Sequence, residues 1–256
     1  MKTVIQLLLL STLLAGCMSH SDCFKNPPSF FCPTCGEGTV KELGGLKTYF
    51  TGRPYSKLAV IMISDIYGYE APIFRKVADK VGSAGFLVVA PDFFHGNPVD
   101  PNDPTFDRVA WGKNHTADKG YDDAKPVIAA LKRKGVSAIG VTGICWGGKV
   151  AAKLAGSDYI QTAVLLHPSR VTIDEIKEVK VPIAVLGAEL DKGLPPELLK
   201  QWGDILSANK LDYFIKIFPG VRHGWTVRYN ETDTFAVKSA DEAHQDTINW
   251  FTKQLK

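Results

Sequence analysis

The stretch Ala138-Ile-Gly-Val-Thr-Gly-Ile-Cys-Trp-Gly-Gly-Lys149 decides how this chain folds. An apolar run of β character ends in Gly143-x-Cys145-x-Gly147-Gly148, and the next residues read as a helix. This is the pattern of a nucleophile elbow with sulfur in place of oxygen. Flanking glycines let the backbone make a sharp, strained turn that leaves the central side chain above the sheet, beside backbone N–H groups and a helix N-terminus. Those dipoles favour both a thiolate and an oxyanion. A Gly-rich strand-to-helix turn can also be plain scaffold, so the assignment depends on the rest of the chain.

An elbow of this kind requires an acid and a histidine later in the chain, in that order, each just past a strand. The run Val181-Pro-Ile-Ala-Val-Leu-Gly187 is a buried-strand signal whose exit reads Ala188-Glu-Leu-Asp191-Lys-Gly193. Asp191 is the candidate acid, with Glu189 in reserve. Tyr213-Phe-Ile-Lys-Ile-Phe218 then runs into Pro219-Gly-Val-Arg-His223-Gly-Trp225, which makes His223 the candidate general base. An imidazole within reach of Cys145 takes its proton, while Asp191 holds the other ring nitrogen. Each residue alone reads equally well as an ordinary loop or turn residue; the three in order do not.

Further strand-like runs lie at 58–63, 86–90, 138–142, 163–166, 183–187 and 213–218, alternating with helical-length segments at 72–84, 121–134, 149–156, 195–208 and 233–256. The alternation predicts an α/β domain with a mostly parallel central sheet and helices on both faces. A length of 256 residues with 45% hydrophobic content suits one such domain. Residues 96–119, rich in Pro, Asp and Asn, read as a long loop beside the site. A net charge of +3 with scattered Lys and Arg carries no nucleic-acid footprint.

Gly143-Ile-Cys145-Trp146-Gly147-Gly148, the Asp191 turn and His223-Gly-Trp225 together resemble the dienelactone hydrolase family of α/β-hydrolases. The similarity extends to Ser64-Asp65-Ile66-Tyr67-Gly68, Pro91-Asp92-Phe-Phe-His-Gly96 and the closing helix. Leu165-Leu-His-Pro-Ser169 and the residues after His223 look like the plant branch, often labelled endo-1,3;1,4-β-glucanase. The resemblance implies an α/β-hydrolase fold, a Cys145-His223-Asp191 triad, and an oxyanion hole made by the backbone N–H groups of Ile66 and Trp146. It places Asp65 where the family has a glutamate that holds the resting thiol, one methylene shorter here. It also implies a nearby arginine for a substrate carboxylate, which Arg228 matches loosely. The alternative for Arg228 is a surface pair with Glu231 or Asp233.

Met1-Lys2, the apolar run 4–14 and the small residues after it read as a secretory signal peptide, and the run is too short to span a bilayer. Residues 1–21 are therefore expected to be removed, leaving a Cys-containing segment at 22–45 and the hydrolase domain at 46–256. Leu14-Ala-Gly-Cys17 also resembles a bacterial lipobox, the alternative being a lipoprotein anchored at Cys17. Export favours one disulfide among Cys23, Cys32 and Cys35, without fixing which, and leaves Cys145 a free thiol. Asn114-His-Thr116 and Asn230-Glu-Thr232 are glycosylation sequons of a secreted glycoprotein.

These readings converge on a monomeric hydrolase of small ester or lactone substrates, carboxymethylenebutenolidase-like, that uses a thioester intermediate and needs no metal or other cofactor. No nucleic-acid or stable membrane partner is expected beyond a lipid at Cys17. Two other readings remain: a glycoside hydrolase acting on 1,3;1,4-β-glucan, with carboxylates drawn from Asp65, Glu70 and Asp92, and a catalytically silent ligand-binding member of the fold.

Overall fold

Residues 22–28 and 32–256 are described by the computed structural model; the signal-peptide and Cys17 expectations lie outside them. Its strands are β1 (Thr39–Leu43), β2 (Leu46–Gly52), β3 (Leu58–Ile63), β4 (Leu87–Pro91), β5 (Ala138–Ile144), β6 (Thr162–Leu166), β7 (Ile183–Ala188) and β8 (Tyr213–Phe218). They form one sheet in the order β1-β2-β4-β3-β5-β6-β7-β8. From β4 to β8 every neighbouring pair is parallel, whereas β1-β2 and β2-β4 are antiparallel. The helices are α1 (Pro72–Ser83), α2 (Arg108–Asn114), α3 (Ala117–Arg133), α4 (Trp146–Ala155), α5 (Ile173–Lys177), α6 (Pro196–Ala208) and α7 (Thr234–Gln254).

Parallel strands covered on both faces must be apolar on both faces, and β3 shows how the residues divide. Val60 and Met62 pack with Phe74, Val77 and Val81 of α1 and with Trp250 and Phe251 of α7. Ala59, Ile61 and Ile63 turn the other way, joining Ile128 and Leu131 of α3, Val150 and Leu154 of α4, and Leu199 and Trp202 of α6. Each such side chain contributes about 1.5–3 kcal/mol on burial. The sheet is thereby clamped between two layers, and the C-terminal ends of β5, β7 and β8 meet at one edge of the sandwich.

Two features depart from the sequence reading, and the cysteines pair as one of its options. Residues 96–119 are not all loop: Asp107 caps α2 by accepting from the Val109 and Ala110 N–H groups, and α3 starts at Ala117 behind Thr116. The hairpin β1-β2 is an addition to the strands read from the sequence, with β1 entering the same sheet from the N-terminal side. Its strand β1 is exposed except at Leu43, so no apolar alternation marks it. Cys32 and Cys35 form a disulfide, leaving Cys23 and Cys145 as buried free thiols.

Candidate active site

Cys145 stands between β5 and α4 with φ 54° and ψ −109°, a conformation that costs a non-glycine residue on the order of 1–3 kcal/mol. Its N–H donates to Leu166 O (3.0 Å), and its carbonyl accepts from the N–H groups of Gly148 (3.0 Å) and Ser169 (2.9 Å), so the turn is held from both sides. Close packing forces glycine at 147: a Cβ there would sit 2.4 Å from the Ile63 carbonyl oxygen. The first N–H of α4, on Trp146, has no intrahelical acceptor, and the Ile66 N–H makes no backbone hydrogen bond among the described residues. Both groups can therefore receive an oxyanion.

His223 follows β8 and Asp191 follows β7, and the sheet brings them together. The Nδ1 of His223 is 2.7 Å from Asp191 Oδ2, and Asp191 Oδ1 accepts the Gly193 N–H at 2.9 Å. Nδ1 thereby carries a proton, and Nε2 is buried beside the Cys23 sulfur without an aligned hydrogen bond among the described residues. One ligand atom each from Cys145, His223 and Cys23 lie within 4.8 Å of one another. Cys23 comes from a three-residue helical turn, Asp22–Phe24, and its Sγ is 2.7 Å from Ser169 Oγ, with Cys145 Sγ 3.7 Å from the same hydroxyl. Beneath them His167 meets the His223 ring edge-to-face at 4.8 Å, its Nε2 bonded to Thr226 Oγ1 at 2.8 Å.

Charge is arranged tightly around these groups. Burial works against the His223 imidazolium, but hydrogen bonds to Asp191 and Cys23 outweigh it and push its pKa up to about 9. Burial pushes the Cys145 thiol well up, and the adjacent Cys23 sulfur adds to this. Contact with Cys145 overcomes burial at Cys23 and, with His223, holds that thiol well below its ordinary value. His167 is kept neutral by burial and by the nearby His223 and Arg228 charges.

Asp65 and Arg228 sit otherwise than the sequence reading has them. Asp65 Oδ1 accepts the Tyr67 N–H at 3.0 Å, and Oδ2 lies 3.2 Å from Arg228 Nε, a close ion pair without an aligned hydrogen bond. No hydrogen bond joins Asp65 to Cys145 among the described residues. Burial raises the Asp65 pKa, with Arg228 pulling the other way. Arg228 is buried rather than on the surface, and its Nη1 donates to the carbonyls of Cys23 (2.8 Å) and Lys25 (2.7 Å). Glu231 pairs instead with Lys76, and Asp233 caps α7. The guanidinium is thus spent on the N-terminal turn, and a substrate carboxylate could reach it only after that turn moves.

A cavity of about 230 Å³ adjoins the elbow, lined by Ile66, Trp146, Cys23 and Ser169, with Trp111 on its far wall and Arg108, Lys149 and Arg170 at the rim. Cys145 itself is fully buried, whereas Cys23 lines the cavity. A larger depression of about 790 Å³ lies on the β1-β2 side and is lined by no cysteine or histidine. Two of the carboxylates considered for glycoside cleavage are engaged: Asp92 accepts the Phe94 and Gly96 N–H groups in its own turn, and Asp65 is paired. Both sequon asparagines, Asn114 and Asn230, lie outside the buried core.

The sheet order, the strained turn after β5 and the acid and histidine after β7 and β8 define an α/β-hydrolase. Residues 46–255 match the model of the dienelactone hydrolase family, and the chain belongs to that family. Similar proteins include a maize (Zea mays) endo-1,3;1,4-beta-D-glucanase, 38% identical over 210 residues that cover 78% of this chain and 68% of the relative. The human (Homo sapiens) carboxymethylenebutenolidase homolog is 30% identical over 239 residues, 88% of this chain and 97% of the relative. A solved structure from Klebsiella pneumoniae, named as a candidate dienelactone hydrolase, superposes with a TM-score of 0.66 at 20% identity over 87% of this chain and 97% of its own. The protein is accordingly a hydrolase acting on ester or lactone bonds.

Sequence reasoning misses Cys23, Ser169 and His167 as parts of the site. It weighs Cys23 only as a disulfide candidate, and His167 and Ser169 only as family-like residues. The available signal is the position of His167-Pro-Ser169 at the exit of β6, next to the elbow strand.

Proposed function

We propose that the protein hydrolyses small ester or lactone substrates through a thioester on Cys145. His223 Nε2 takes the Cys145 proton as the sulfur attacks the carbonyl carbon, and the N–H groups of Ile66 and Trp146 receive the oxyanion, each such donor contributing about 3 kcal/mol to the transition state. As the tetrahedral intermediate collapses, the C–O bond breaks and His223 returns the proton to the leaving alkoxide; in a lactone this opens the ring. Water, deprotonated by His223, then attacks the thioester and releases the acid and the thiol. Asp191 fixes the histidine tautomer and stabilises the imidazolium. Asp65 acts as a positioning residue through Arg228 rather than as a direct partner of the thiol. The basic rim of the cavity suits an anionic substrate, and export by the N-terminal apolar segment places the enzyme outside the cell.

The observation that carries this reading is a cysteine in a strained elbow beside a buried histidine whose Nδ1 is fixed by a buried aspartate. The test is turnover of p-nitrophenyl acetate and a dienelactone by wild type and Cys145→Ala, with mass spectrometry for an acyl adduct. Expected are loss of turnover in the variant and an adduct on Cys145 in the wild type. Hydrolysis of mixed-linkage glucan that survives Cys145→Ala would overturn the assignment and favour the activity named for the maize relative.

A further inference from the structure

Cys23 is a residue the hydrolytic cycle does not require, yet it lies at the centre of the site. Its sulfur, that of Cys145 and a His223 ring nitrogen fall within 4.8 Å of one another, all three residues being buried. Two sulfurs and an imidazole nitrogen are the donor set that soft and borderline divalent cations select. With Zn–S about 2.3 Å and Zn–N about 2.0 Å, the edges of a tetrahedral site run to roughly 3.5–3.8 Å, so the three ligands need to close by only about 1 Å. Cys23 can supply that movement because it sits in a short turn outside the sheet.

Two independent features point to a ligand here. His223 Nε2 is buried beside the Cys23 sulfur with no aligned hydrogen bond among the described residues, while Nδ1 is held 2.7 Å from Asp191 Oδ2. A carboxylate on the far nitrogen is the outer support that zinc-bound histidines commonly have, fixing the tautomer and raising the basicity of the ligating atom. The cavity lined by Cys23 and Ser169 provides an approach and room for a water in a fourth position.

We propose that Cys23, Cys145 and His223 form an inhibitory site for a divalent zinc-like cation. Binding forms two metal–sulfur bonds and one metal–nitrogen bond and releases two protons, leaving no net charge on the metal with its two thiolates. The metal occupies the Cys145 lone pair and the His223 nitrogen, and it fastens the N-terminal turn over the nucleophile. Metal binding stands independently of the thiol-hydrolase reading; only the resulting loss of hydrolysis rests on it.

The test is titration of the protein, with the Cys32-Cys35 bridge intact, by Co2+ and then by Zn2+ in competition. Expected are one equivalent bound, thiolate-to-cobalt charge-transfer absorption that zinc abolishes, and protection of both Cys23 and Cys145 from iodoacetamide in the wild type. Cys23→Ser should weaken zinc binding by about 100-fold or more, since even outer-support losses cost 10–100-fold, while Cys32→Ser/Cys35→Ser binds as the wild type does. On the hydrolytic side, stoichiometric zinc should stop turnover and a chelator restore it. Binding without charge transfer, unchanged affinity in Cys23→Ser, or a Cys23-Cys145 disulfide in protein that takes up no metal would overturn the proposal. Metal uptake in a protein that hydrolyses no ester would sustain it and remove the hydrolase mechanism instead.

Discussion

Replacing Asp191 by Asn tests whether the buried acid does what the geometry assigns to it. The carboxylate accepts from His223 Nδ1 at 2.7 Å and from the Gly193 N–H at 2.9 Å. An amide in its place can keep the Gly193 contact but presents an NH2 to Nδ1, turning the ring to the tautomer that carries its proton on Nε2. That tautomer cannot take a proton from Cys145. The electrostatic part comes from the rise of the His223 pKa from 6.5 to about 9, a net preference for the imidazolium of about 3 kcal/mol, shared between Asp191 and Cys23. Loss of the Asp191 share, about half of this, slows acylation by about 10-fold, and the wrong tautomer extends the loss toward about 10⁴-fold. A raised histidine pKa stabilises the fold fully below pH 6.5, and this is lost as pH rises through about 9. Asp191→Asn should therefore lower Tm most near pH 6, by up to about 3–6 °C at roughly 2–4 °C per kcal/mol, and the gap should close by about pH 10. Burst kinetics with p-nitrophenyl acetate and Tm against pH measure both. Acylation within tenfold of wild type, or a Tm gap that widens with pH, would refute the assignment.

Gly147→Ala would drive a Cβ to 2.4 Å from a backbone carbonyl of β3, where nothing can yield cheaply; the expected result is a loss of more than about 3 kcal/mol, read as a large drop in Tm or in soluble yield. Arg228→Ala leaves the Asp65 carboxylate buried without its cation, which costs about 3–5 kcal/mol. Adding Asp65→Asn should recover part of that in a double-mutant cycle, and additive losses would show that the pair is not coupled. Because Asp65 makes no hydrogen bond to Cys145 and acts on it only as a neighbouring charge, Asp65→Ala should change the iodoacetamide rate of the cysteines less than His223→Ala does; the reverse order of rates would restore a direct role for Asp65.

The sequence exposes what short range determines and hides what depends on distant segments meeting. The elbow is legible because strand, glycines, cysteine and helix lie within a dozen residues, and β8 is legible over its whole span because turn residues bound its apolar run. The hairpin β1-β2 escapes because β1 buries only Leu43, although Gly44-Gly45 between Leu43 and Leu46 is a two-residue turn signal. Helix α2 escapes because it buries only Trp111, so its Asp107 cap has no apolar stripe to confirm it. Arg228 is out of reach on either sequence reading, since its partners are a buried aspartate 163 residues upstream and two carbonyls more than 200 residues away.

Cys23 is placed by two such long-range meetings, and they bear directly on access to the nucleophile. Its sulfur touches Ser169, 146 residues along the chain, its carbonyl holds Arg228, and Phe24 beside it packs on Phe106, so the turn is fixed by polar and apolar contacts with distant segments. Contacts of that kind are individually worth about 1–3 kcal/mol, little enough for substrate binding to displace them. The elbow therefore stores its strain under a cover that the chain itself supplies. Cys145 and Arg228 are both buried beside this turn, so displacing it would uncover the thiol and free a cation able to meet an anionic substrate.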